Sequence, residues 1–503
     1  MKMSRRKKYN PDLINTRITS GNFDLSEYAK SMIDAKASLR GTQASVASLT
    51  ADRVTEMLSN PSSNFDGIAS AMEAQAIQDG LLKATLNYFS TSLTLNHSIY
   101  PDISDTKDTF KKVNTDEYLS VASYLEKYNL KFFVPYFIYR TLIKGVSFFY
   151  EIQDSNGVAY LEFPNSWCRI SYLENGVYRW MLDVSKVKND LLTNPSMPKE
   201  IIKAIETNDK TDTKKWIDGK YLLLSDKAIA FTFDMAALVY GGVTLSEFVS
   251  MLPNSLLANK IKQNIDVKDK LDSIRIIHGQ IPTDSQGVIK MTASDAAEFA
   301  KILKMDLPDG IQVAVTPFDL DNVSLAGAGT SKAFDNLKDA QNQVIKSIGV
   351  SPQMFGEDTK SSNAIKLGIT RDMALIYKKI LPVFSNYYNQ VLSKAKTASG
   401  SRWRIKILEQ NYFTFTDDVK QYKESVSLGG SRTDYLASIG MNPLEIYTKL
   451  FMEQNVLDID KIMKPKEMSY TLSGNSSGAE SEDVGRPKTD NPTDDTERLS
   501  DAD

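Results

Sequence analysis

The sequence predicts a mixed α+β protein that is mostly helical, and three observations carry that expectation. Apolar residues recur every three or four positions from about residue 26 to 144. At Gly145 the period changes to alternation, in segments rich in aromatic and β-branched side chains. Helical spacing then returns near Leu245 and dominates residues 333–395.

Composition sets the class. A chain of 503 residues, 42% apolar and 24% charged, can bury a large core and divide into two or more lobes. Its net charge of −3 gives none of the broad positive field of a tight nucleic-acid binder, but it permits a protein past which DNA slides. Cys168 is the single cysteine, which excludes an intramolecular disulfide and fits a reducing compartment. Residues 1–8 are basic, yet no apolar stretch follows, so no secretory signal is expected. The greasiest run, 132–139, is too short to cross a bilayer and contains Pro135. The chain reads as membrane-free and cytoplasmic when made.

In order, residues 1–24 form a basic arm whose Arg5-Arg6-Lys7-Lys8 run is an ordinary solvated terminus. Helices are expected at 25–39, 44–59, 65–97 with a break, 115–128 (capped near Thr115) and 131–144. Strands follow at 145–153, 158–163, 167–172 and 177–183, separated by turn-forming runs such as Glu174-Asn175-Gly176. They make a small antiparallel sheet. A helix at 197–208 and a strand pair at 219–233 come next, then a helix over 245–271 broken at Pro253. A compact α/β insertion occupies strand 272–278, helix 293–304 and strand 310–316. Beyond 395 the pattern gives a strand or strand pair at 402–415 and helices at 417–428, 432–439 and 443–454. From about 466 almost nothing is apolar, and the acidic tail to 503 is expected to be disordered.

The stretch 333–395 organises the rest. Phe334, Leu337, Val344, Ile345 and Ile348 fall on one helical face, Gly349 suits a stop, and Pro352 prevents continuation. After a polar loop, Ile369, Met373, Ile376, Tyr377, Ile380, Phe384, Tyr387 and Val391 step by three and four through a second long helix. Pro382 inside it predicts a kink.

Three segments of this region, taken together, resemble the portal proteins of tailed double-stranded DNA bacteriophages. They are Ile348-Gly-Val-Ser-Pro-Gln-Met-Phe-Gly356, then Ser361-Ser-Asn-Ala364, then Leu381-Pro-Val-Phe-Ser-Asn-Tyr-Tyr-Asn-Gln-Val-Leu392. Phe163-Pro-Asn-Ser-Trp-Cys-Arg-Ile170 is similar to a strand in the lobe that the family calls the wing. The resemblance covers roughly residues 130–395. It implies a portal-like fold: wing 25–252, with a helical part 25–144 and a β-rich part 145–235, a first stem helix 253–271 and a clip 272–331. A second stem helix 332–349, a channel loop 350–363, a long kinked helix with return strand 364–416 and a helical crown 417–465 complete it. It also implies a homo-oligomeric ring, usually of twelve subunits, at one capsid vertex of the virion. Double-stranded DNA passes through such a ring during packaging and ejection. The implied partners are the terminase large subunit, major capsid and scaffolding proteins, and head-completion or tail adaptor proteins.

Catalytic motifs are weak. Ala326-Gly-Ala-Gly-Thr-Ser-Lys332 precedes a helix, but its lysine follows the serine, so the phosphate-loop spacing fails. His97, His278 and Cys168 are scattered and lack metal-ligand spacing. Asp319-Leu-Asp-Asn322 lacks the glycine and glutamate of a calcium loop, and Asp417-Asp418 sits at a helix start. No catalysis, cofactor or metal is expected; in the portal family terminase supplies the energy. The candidate DNA-channel residues are Lys332, Lys338, Lys346, Lys360 and Lys366, with Glu357 and Asp358. On one subunit they read as a mixed-charge surface; in a ring they become alternating circles of charge that would not hold phosphates tightly. Two other readings stand beside the portal: a soluble nucleic-acid-processing enzyme with a helical and a β lobe, and a non-portal oligomeric structural adaptor.

Overall fold

The computed structural model describes residues 50–102, 113–153, 157–187, 197–207, 212, 215–234, 244–273, 275–280, 286, 288, 291–305, 311–316, 330–348, 362–395 and 397–459. The chain divides into two units, Met1–Ile446 and Tyr447–Asp503. The expected arm 1–24, helix 25–39, loop 350–363 and tail 466–503 lie outside the described residues, apart from Ser362 and Asn363.

The first unit begins with α1 (Ala51–Ser59), α2 (Pro61–Gln78) and α3 (Gly80–Thr91). Thr50 caps α1, and Asp79 accepts from the backbone N–H groups of Leu81 and Leu82, so the expected break in this region falls at Asp79. The helix expected to reach residue 97 stops at Thr91 instead. Strand β1 (His97–Asp102) follows and pairs antiparallel with β11 (Arg402–Ile407). Helices α4 (Thr115–Glu126) and α5 (Leu130–Lys144) come next. Helix α4 is capped by Asn114, whose side chain accepts from Glu117 N–H, one residue before the expected cap.

Gly145 ends α5 at a φ of +81° and donates its N–H to Thr141. A Cβ there would run into the backbone of Thr244 and Leu245, so both the backbone conformation and the close approach require glycine. Seven antiparallel strands follow: β2 (Val146–Gln153), β3 (Val158–Phe163), β4 (Cys168–Glu174), β5 (Val177–Asp183), β6 (Trp216–Ile217), β7 (Tyr221–Leu223) and β8 (Ala228–Thr232). Their order is β3-β2-β8-β5-β7-β6, with β4 paired to β5. Helix α6 (Lys199–Thr207) precedes β6. Asn175 and Gly176, both at positive φ, turn the β4–β5 hairpin as the Asn-Gly signal predicts.

Helix α7 (Leu252–Ser273) is continuous, preceded by a short 3₁₀ turn at Val249–Met251. The expected break at Pro253 is corrected: the proline lies in the first turn, where its missing N–H costs nothing. Strand β9 (Arg275–Gln280), helix α8 (Ala293–Met305) and strand β10 (Ile311–Thr316) form a parallel β-α-β unit. Helix α9 (Thr330–Ile348) packs against α7. Helix α10 (Ser362–Leu375) passes through a π-helical turn, Ile376–Ile380, into α11 (Leu381–Ser393). The disturbance expected from Pro382 thus takes the form of a wide turn just before it, spanning the position i−4, Lys378, whose carbonyl a proline ring would strike.

The strand expected over 402–415 is shorter, because β11 ends at Ile407 and Asn411 builds a turn. Its Oδ1 accepts from the N–H groups of Phe413 and Thr414 at 2.9 and 3.0 Å. Helices α12 (Phe415–Ser427), α13 (Arg432–Ser438) and α14 (Pro443–Phe451) follow. In the second unit Tyr447 and Phe451 stack with centroids 6.1 Å apart, ahead of a π-helical turn at Met452–Val456.

Two buried clusters hold the first unit. One joins α1–α5 to the π turn and α11 through Phe137, Phe231, Phe384 and Tyr388. The other lies on the opposite face of the sheet around Trp180, Phe148 and the fully buried thiol of Cys168. Among the described residues no helix is long and apolar enough to cross a membrane.

Candidate functional site

Helix α9 carries three of the predicted channel lysines, Lys332, Lys338 and Lys346. Its inner face buries Ala340 and Val344. Its other side exposes Asp335, Lys338 and Asp339, none of which has an ion-pair partner among the described residues. Asp335 and Asp339 are four apart, a spacing that repels by a few tenths of a kcal/mol on an isolated helix. Lys338 stands three positions after Asp335 and offsets part of that repulsion. The helix end is fastened to the 3₁₀ turn by Ser250, which donates to the Ser347 carbonyl at 3.1 Å.

Helix α10 carries the fourth described candidate. Lys366 reaches Asp417 of α12 at 3.3 Å, so its charge is neutralised locally. Both side chains are more than half exposed, which limits such a pair to about 1 kcal/mol. Behind them a cleft of roughly 560 Å³ opens between α10 and α12, lined among others by Leu367, Met373, Tyr377, Asn411 and Asp418. Asn411 donates to the Tyr377 hydroxyl at 2.8 Å. Burial pushes the Tyr377 phenol up to about 12, so it stays protonated and is no base. Lys360, Glu357 and Asp358 lie outside the described residues.

What positions α11 is a set of buried polar anchors, which hydrophobic spacing alone does not reveal. The Glu151 carboxylate on β2 accepts from Tyr128 and from Tyr387, each at 3.1 Å. Tyr387 spends its single proton there, so Tyr160, at 2.6 Å, donates to Tyr387. Burial holds the Tyr160 and Tyr387 phenols well above their ordinary value. Arg179 on β5 donates to Glu174 at 2.9 Å and to Gln390 of α11 at 2.7 Å. Asn389 accepts from the Ile405 N–H at 2.9 Å, joining α11 to β11.

A second anchor locks α5 to the sheet. Glu162 on β3 accepts from Arg140 Nε at 2.9 Å, Lys144 at 2.8 Å and the Tyr136 hydroxyl at 3.0 Å. Burial alone would raise its pKa, but the Lys144 and Arg140 charges outweigh that and hold it at about 2. Arg140 also reaches Glu73 of α2 at 2.7 Å.

These groups hold α5 and α11 against the sheet. The Glu151 and Glu162 carboxylates accept from hydroxyls or cations beside them, and the histidine described in full, His97, is buried with burial lowering its pKa to about 4. Among the described residues no group of His, Cys, Asp and Glu could hold a metal ion.

No family model and no curated protein matches the chain. Among solved structures, a chain from the "Virion of native gene transfer agent (GTA) particle" is similar over 72% of this chain and 89% of its own, at 11% identity and a TM-score of 0.39. A likeness of that size carries no functional argument.

Proposed function

We propose that this chain is a portal-like protein: a subunit of a ring at a capsid vertex through which double-stranded DNA passes and on which a packaging motor docks. The observation that carries this reading is the order of parts around the Ile348–Gly356 and Leu381–Leu392 segments. A helix, α7, leads into a small β-α-β unit, and a second helix, α9, returns beside the first. A polar segment then leads into the long α10–α11 helix, which is anchored to an antiparallel sheet. In this reading α7 and α9 are the stem, residues 272–331 the clip, and the sheet with its flanking helices the wing.

The exposed, mixed charges of α9 favour the same reading. A channel wall that must release DNA works best without an unbroken basic surface, since every neutralised phosphate strengthens binding. The chain performs no catalysis in this reading, and the motor protein supplies the energy.

The test is direct. Purified full-length chain should give a particle many times the 56.2 kDa subunit mass, ring-shaped with an axial hole in electron micrographs. A stable monomer at micromolar concentration in light scattering would overturn the proposal.

A further inference from the structure

Strands β9 and β10 pair in parallel from Arg275↔Ile311 to Gln280↔Thr316, without a bulge. Helix α8 connects them in sequence and packs on β10. Parallel strands belong to larger, covered sheets, and a two-strand sheet is marginal by itself. Among the described residues neither strand has a second neighbour. Each therefore keeps an outer row of backbone donors and acceptors that its own ladder does not use.

Proteins guard such edges with lysines, prolines or bulges. Strand β10, Ile311-Gln-Val-Ala-Val-Thr316, has no charged residue and no proline. Strand β9, Arg275-Ile-Ile-His-Gly-Gln280, has one cation, Arg275, and only at its start. Both strands are six residues long, a normal length for a sheet interior, and nothing in their sequence obstructs a further strand.

We propose that the two edges complete one another between copies: the outer edge of β10 in one subunit receives the outer edge of β9 from a second subunit. An unrelated strand would cover one edge and leave the other bare, whereas β10-to-β9 addition covers both with a single repeated contact. The two edges differ, so the contact is heterologous, the kind that closes into a ring. Backbone hydrogen bonds supply the attachment, as in other strand additions. The inference rests on the ring reading and names one place where neighbouring subunits join.

Two measurements test it. In the first, full-length chains carrying Gln312→Cys or Ala314→Cys are mixed with chains carrying Ile276→Cys or His278→Cys, assembled and mildly oxidised, with particle mass followed in parallel. Each chain has one new cysteine, and native Cys168 is fully buried, so a β9–β10 link must join two copies. At least one combination should link about tenfold more than the same β10 variants mixed with Lys83→Cys, an exposed position on α3. The second uses the unaltered chain: amide exchange in residues 275–280 and 311–316 should slow about tenfold on assembly. Particles of full mass with neither linkage nor slowed exchange would overturn the strand contact and leave the ring standing. A chain that stays monomeric would overturn both.

Discussion

Tyr387 of α11 donates its hydroxyl to Glu151 of β2 at 3.1 Å, across 236 positions of sequence. Glu151 is buried, and its described side-chain partners are phenols rather than cations. A carboxylate in that setting depends on each donor it has. Tyr387→Phe should therefore destabilise the protein by about 1–3 kcal/mol, the cost of leaving a buried acceptor unmet. Chemical denaturation of the variant would show this as a lower midpoint at unchanged slope; an unchanged midpoint would mean that water satisfies Glu151.

Gly145→Ala should cost more than about 1 kcal/mol, because the backbone there has φ of +81° and a Cβ would meet the chain at Thr244 and Leu245. Gly157→Ala is the control, since a Cβ there has open space around it. Thermal unfolding of the two variants should separate clearly. Equal melting temperatures would contradict the close approach.

Much of this architecture could be read from local pattern. The strands from Val146 to Asp183 are bounded by Gly145 and by the Asn175-Gly176 turn, signals that act within a few residues. What escaped depends on partners far away in sequence. Strand β1 forms because His97 to Asp102 find Ile407 to Arg402, about 300 residues on, and Pro101 within it weakens the local strand signal. The candidate site shows the same limit. Lys366 reads as a free cation until the fold brings Asp417 to it, and the stripe of Phe384, Tyr387 and Val391 reads as apolar until Glu151 takes up the phenol.

His97 makes a pH prediction. Burial lowers its pKa to about 4, below the ordinary 6.5, so the folded state prefers the neutral imidazole. The unfolded chain takes up a proton first as pH falls. Stability from this group is therefore complete above about pH 6.5 and is lost progressively down to about pH 4. By pH 5 the loss should reach about 2 kcal/mol. The difference in unfolding free energy between the native chain and His97→Gln should narrow by that amount from pH 7 to pH 5. A pH-independent difference would show that His97 binds its proton equally well in the folded and unfolded chain, contrary to its burial.

The charges of α9 and α10 separate two kinds of lysine. Lys338 is exposed and has no ion-pair partner among the described residues, whereas Lys366 is paired with Asp417 at 3.3 Å. Neither lies in the core, so Lys338→Glu and Lys366→Gln should each leave stability within about 1 kcal/mol of the native chain. Their effects on DNA should differ. In a ring, reversing Lys338 beside Asp335 and Asp339 turns a mixed wall into an acidic one, repeated in every subunit. DNA entry should become harder, most of all at low ionic strength, where the screening length is longest. Replacing Lys366 removes a charge that Asp417 already offsets and should change passage little. Packaged DNA measured over a salt series with each variant ring decides the matter. Equal yields for Lys338→Glu and the native ring at every salt concentration would place this face of α9 away from the DNA.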